Sequence, residues 1–83
     1  MESKIGRVTH YFGKINVAAL DLMDELKMGD EIHVLGHSTD FTQTVDSIQL
    51  EHEAIEAARP GMDVAIKVKK RVREGDEVFK VMA

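Results

Sequence analysis

Leu26-Lys27-Met28-Gly29-Asp30-Glu31-Ile32 reads as a turn that launches a strand. Its glycine takes positive φ without steric cost, its aspartate can bond to nearby backbone, and a β-branched residue begins the apolar run that follows. The phrase recurs as Arg59-Pro60-Gly61-Met62-Asp63-Val64 and as Val72-Arg73-Glu74-Gly75-Asp76-Glu77-Val78. Three such units in 83 residues describe an all-β chain whose strands spring from tight, solvated turns.

Composition points the same way. Val and Ile total 15 against 5 Leu, and β-branched side chains fit a pleated surface better than a helix. The expectation is a small closed antiparallel barrel of six to seven strands, with residues 1–83 forming a single domain. A chain of this size removes only about 60% of its unfolded surface from water, so there is no room for a second core.

Alternation places the strands. Ile5 to Phe12 is followed by a Gly13-Lys14 corner and a return through Ile15 to Leu22, with Ala18, Leu20 and Leu22 facing inward. Glu31 to Leu35 is short and ends in the loop Gly36-His37-Ser38-Thr39-Asp40. Within Thr42 to Leu50, Val45 and Ile48 are out of phase by one residue, which predicts a bulge or bend near Asp46-Ser47. Asp63 to Val68 and Glu77 to Val81 complete the set, Val64, Ile66 and Val68 pointing inward. Residues 51–59 carry helical spacing at Leu50, Ala54 and Ala58 but are too few for a self-sustaining helix before Pro60. They read as an extended arm and loop with at most one helical turn.

Catalytic readings find little. There is no phosphate loop of the G-x-x-x-x-G-K-[ST] type, no G-x-S-x-G elbow and no cysteine. His10, His33, His37 and His52 lack ligand spacing, so neither a metal nor a cofactor is expected. The acid pairs Asp24-Glu25 and Asp30-Glu31 sit in wet turns, where both members stay ionised. The chain is expected to be non-enzymatic. The longest apolar run, Val17-Ala18-Ala19-Leu20, is far too short to span a membrane, and the absence of cysteine suits a cytoplasmic location.

Charge is unevenly spread. Lys67, Lys69, Lys70, Arg71 and Arg73 occupy one seven-residue stretch that contains no acid, so a net charge of −4 leaves −9 on the remainder. Long cations at a strand end can reach phosphates without entering the core. Tyr11 and Phe12 alternate faces, so one of them should point outward near Lys14 as a stacking surface beside a cation. The candidate RNA-binding set is Tyr11, Lys14, Lys67, Lys69, Lys70, Arg71 and Arg73. The alternative is a solvated loop that balances the acidic remainder.

Read in order, Ile5-Gly6-Arg7-Val8-Thr9-His10-Tyr11-Phe12-Gly13-Lys14-Ile15, Leu26 to Asp30, Thr39-Asp40-Phe41-Thr42-Gln43, Gln49-Leu50-Glu51-His52 and Arg71 to Val78 resemble the C-terminal barrel of the collagenase-like peptidase family. That module in turn resembles domain 2 of the translation elongation factor Tu class. The shared pattern is the Lys27-Met28-Gly29-Asp30-Glu31 turn, the Val45-to-Leu50 strand and the return from Ala58 to Val64. The resemblance implies a translation-protein barrel lacking GTPase and catalytic domains. In the factors this barrel helps to bind the aminoacyl end of tRNA. Gly13-Lys14 matches their Gly-Arg corner, whereas Gly6-Arg7 stands where they have an acidic pair and Thr9 where they have an aromatic. The implied function is a non-catalytic binding module for RNA (tRNA or rRNA) or an RNA-protein assembly. The alternative is a module that docks on a separate protein partner.

Overall fold

The computed structural model describes residues 1–82, and these contain strands and turns with no helix. The strands in chain order are β1 (Glu2–Phe12), β2 (Val17–Leu22), β3 (Leu26–Lys27), β4 (Glu31–Leu35), β5 (Asp40–Thr44), β6 (Ile48–Leu50), β7 (Glu53–Ala54), β8 (Ala57–Ala58), β9 (Asp63–Lys67) and β10 (Glu77–Val81). Eight of them form one antiparallel sheet in the order β5-β4-β10-β1-β2-β9-β6-β7, while β3 and β8 pair separately.

All three glycine phrases form the same device. Lys27–Asp30, Arg59–Met62 and Arg73–Asp76 are turns in which the fourth residue's N–H donates to the first residue's carbonyl at 3.1, 3.2 and 3.1 Å. The third-position glycines have φ of 90°, 88° and 92°, the signature of a type II turn. Each turn then plugs into a buried strand residue by a reciprocal pair of bonds. The N–H groups of Gly29, Gly61 and Gly75 donate to the carbonyls of Val45, Leu22 and Val8, each at 2.8 Å. The N–H groups of Val45, Leu22 and Val8 return bonds to Asp30, Met62 and Asp76 at 2.8, 3.2 and 2.8 Å. In the outer two turns the aspartate also clamps its own turn, Asp30 Oδ2 accepting from Lys27 N at 2.9 Å and Asp76 Oδ2 from Arg73 N at 2.8 Å. The middle phrase has its acid one place later, and the Met62 sulfur takes that position, 3.5 Å from Arg59 N.

Inside the curl of the sheet lies one apolar cluster, with Ile5, Leu20, Leu26, Ile32, Ile48, Ile66 and Val78 all fully enclosed. Ala18, Leu20 and Leu22 are buried as their alternation requires, as are Val64, Ile66 and Val68. Two register shifts in β1, at Ile5 and Thr9, add one residue each and bend that long strand around the core.

The closed barrel is where the structure departs from expectation. The outermost strands, β5 and β7, do not pair with each other, so the hydrogen-bonded ladder stays open. The reason lies at Val45–Ser47. The run from Thr42 to Leu50 is interrupted rather than bulged: β5 pairs with β4, and after three unpaired residues β6 joins β9 at the far side of the sheet. Val45 has its backbone engaged by the Gly29-Asp30 turn and so cannot extend either ladder.

Residues 51–59 hold no helical turn. Leu50 pairs with Glu53 across a two-residue turn whose central residues, Glu51 (φ 50°) and His52 (φ 69°), are both left-handed, as in a type I′ hairpin. Ala54 and Ala58, the helically spaced positions, lie in β7 and β8.

Candidate functional site

The basic stretch is a strap fastened at both ends. Val68 and Val72 are buried pegs, at 5% and 1% exposure, and between and beside them Lys67, Lys69, Lys70, Arg71 and Arg73 all face solvent. At its start, Val68 N donates to Asn16 O at 2.9 Å, tying the strap to the β1–β2 turn that carries Lys14. The side chain of Gln43 adds two bonds, donating through Nε2 to Lys67 O at 2.8 Å and accepting at Oε1 from Lys69 N at 2.8 Å. At its end, the strap enters the Arg73–Asp76 turn and its aspartate clamp.

Lys67 and Lys69 thereby meet Asn16 at a shallow cavity of about 130 Å³ that they line with Asn16, Gln43, Asp46 and Val68, while the exposed Lys14 stands two residues earlier in the same turn. Lys70 and Arg71 project from the strap, and Arg73 stands at the next turn, adjacent to the Glu74 that pairs with His10 at 3.3 Å. None of these six cations forms an ion pair among the described residues, whereas Lys4 and Lys80 are bound to Glu77 (2.8 Å) and Asp30 (3.5 Å). Unpaired exposed cations keep their full charge available to an incoming anion.

The two aromatics separate as their alternation requires. Tyr11 packs against the core, with its hydroxyl donating to Asn16 Oδ1 at 3.3 Å, so it supports the turn rather than offering a free face. Phe12 is the outward ring, 45% exposed and edge-on to His10 with centroids 4.4 Å apart.

Gln43 is the organiser that sequence reasoning missed. Its signal was parity, since it shares a strand face with Phe41 and Val45 and is 5% exposed. A long amide at an inward position has to find partners, and here it finds two backbone groups.

Relatives follow the same architecture. A structure of the C-terminal domain of a Geobacillus thermoleovorans protein assigned to the U32 peptidases superposes with a TM-score of 0.88 at 27% identity, covering 94% of this chain and 91% of that one. The fold is that of the U32 peptidase C-terminal domain. A selenomethionine form of the same Geobacillus domain gives 0.87 at 26% identity, over 92% of this chain and 96% of that one. In sequence, the chain is 39% identical over 77 residues to an uncharacterized protease of Methanocaldococcus jannaschii and 33% identical over 78 residues to a collagenase of Porphyromonas gingivalis. It spans only 19% and 22% of the length of those two relatives, against 92% of its own. No protein-family model matches the chain.

In this domain a tight cluster of titratable groups lies away from the strap. His33 on β4 has Nδ1 2.9 Å from Glu2 Oε2 and Nε2 2.6 Å from Asp40 Oδ1, its side chain 17% exposed. With an acceptor at each nitrogen, only the imidazolium donates to both. Hydrogen bonds to Glu2 and then Asp40 raise the His33 pKa above its ordinary 6.5, and partial burial opposes them less strongly. Among the described residues no three side chains converge as metal ligands. Among the described residues no helix is long and apolar enough to cross a membrane.

Proposed function

We propose that this chain is a non-catalytic RNA-binding module that presents Lys14 and the Lys67–Arg73 strap to phosphates. The observation carrying the reading is that these cations are exposed, unpaired and held on a strap fixed at Asn16, Gln43 and Asp76, within an otherwise acidic chain. Pre-fastening lowers the ordering cost of binding. The likeness of the Gly13-Lys14 corner and the Lys27–Glu31 turn to elongation-factor domain 2 supports an RNA partner. In this reading the activities named for the larger relatives reside in the four-fifths of their length that this chain does not match.

Anisotropy with a labelled tRNA tests it. If about five phosphates are neutralised, affinity should fall on the order of 10²- to 10³-fold between about 50 and 200 mM salt. Lys70→Glu with Arg71→Glu should abolish binding, while Lys27→Glu with Arg59→Glu, an equal charge change at β3 and the turn after β8, should weaken it only modestly. Both pairs are exposed, and surface changes of this kind shift stability by about 0.5 kcal/mol or less, so the melting midpoint should barely move. Absence of binding at low salt overturns the proposal in favour of a protein-docking module, and equal loss in both variants reduces it to net charge.

A further inference from the structure

The outer face of β1, β2, β9 and β6 has a built texture that the strap alone does not explain. In antiparallel ladders, residues in register share a face, so the pairings define rows across it. One row runs Phe12, Val17, Lys67. Its neighbour runs His10, Ala19, Ala65, Gln49, in which two alanines on adjacent strands stand between long planar side chains. A third row runs Glu77, Arg7, Asp21, Asp63, three carboxylates to one cation. The inward residues between these rows, Tyr11, Ala18, Ile66 and Ile48, belong to the core side. Along this face the character therefore passes from aromatic and cationic, through a small apolar saddle, to acidic.

Over the saddle is a cavity of about 220 Å³ lined by Ala19, Gln49, Glu51, His52, Asp63 and Ala65, among others. One wall is the left-handed Glu51-His52 turn, a conformation that costs about 1–2 kcal/mol per residue outside glycine and that persists where surrounding structure enforces it.

From this texture we infer that the Ala19–Ala65 saddle receives one unstacked base of a single-stranded RNA whose phosphates lie on Lys14 and Lys67. The inference rests on the RNA reading above and adds strand state and base preference to it. Bare methyl groups give a flat heterocycle an apolar bed, with the Phe12 and His10 rings beside it. Charge fixes the polarity: phosphates are favoured at the lysine end and repelled from Glu51 and Asp63, which leaves the base edge facing those carboxylates. Carboxylates accept from the exocyclic amino groups of cytosine, adenine and guanine. Uracil offers only N3–H, flanked by two carbonyl oxygens that the carboxylates repel, so it is the base disfavoured here.

The experiment compares octamers of C and of U and a short RNA duplex, by anisotropy at low salt, with amide and methyl chemical-shift mapping alongside. Wild-type protein should bind the C octamer about tenfold more tightly than the U octamer, with shifts at Ala19, Ala65 and Gln49. Ala65→Leu fills the saddle with a residue suited to an exposed strand position, and should cut C-octamer affinity about tenfold while leaving duplex affinity and the salt slope unchanged. Should that variant fold poorly, the wild-type shift map decides alone. Shifts confined to residues 69–73, or equal affinity for the C and U octamers, overturn the saddle while leaving RNA binding standing. Loss of all three RNAs in the Lys70→Glu, Arg71→Glu variant, with wild-type binding intact, is the result expected of the strap. Absence of any RNA binding by the wild type overturns both readings.

Discussion

His33 shows how one side chain can make stability respond to pH. Its folded pKa lies above the unfolded 6.5 because Glu2 and Asp40 bond to the charged ring. The stabilisation is therefore complete below about 6.5 and is lost as pH rises through the folded value. The melting midpoint of wild type minus that of His33→Gln should shrink between about pH 6 and pH 8, and the His33 ring protons should titrate above 6.5 by NMR. A constant difference would mean that the ring acts by packing alone, against Phe79 at 6.2 Å. Neither carboxylate partner was legible in the sequence. Glu2 and Asp40 stand 31 and 7 residues from His33 and meet it only because β1 lies one strand away from β4, across β10, and β5 folds back on β4. Gln43 was readable in principle by its parity with Phe41 and Val45, but its backbone partners were not.

At the scale of elements, the turns were the most legible feature, because a glycine before an acid carries its own physical reason. Each of Gly29, Gly61 and Gly75 has positive φ, yet a Cβ built there meets nothing within 4 Å. Replacement by alanine thus isolates the backbone cost from crowding. Gly29→Ala and Gly75→Ala should each destabilise by about 1–2 kcal/mol, lowering the melting midpoint on the order of 4–16 °C, and should add in the double variant. Non-additivity would reveal coupling through the core. The β6–β7 hairpin was illegible for the converse reason: Glu51-His52 lacks the Asn-Gly chemistry that marks a type I′ turn, and alanine spacing in that stretch imitates a helix. Tertiary pairing with β9 and β3 overrides the local preference.

For the molecule as a whole, strand content and inward faces follow from alternation, whereas closure does not. Whether two edge strands meet depends on how many residues the chain spends crossing between them; Val45–Ser47 make that crossing, and Val45 is spent on docking a turn. Gln43 fastens β5 to the end of β9 where no ladder does. Gln43→Leu should leave Lys67 C=O and Lys69 N–H without these partners, destabilise by about 1–3 kcal/mol and speed amide exchange at Lys69. Unchanged exchange would show that the valine pegs alone hold the strap. The clustering of cations was visible along the chain, whereas the Ala19–Ala65 saddle needed register. One arrangement governs how the chain acquires any of this. β10 is an interior strand between β1 and β4, pairing Val81 with Glu2, and Met82 N bonds to Met1 O at 2.8 Å. The centre of the sheet can therefore assemble only once β10 is present. Because β10 joins β1 to β4 across most of the sequence, folding is dominated by contacts between distant residues and should be slow for a chain of this size.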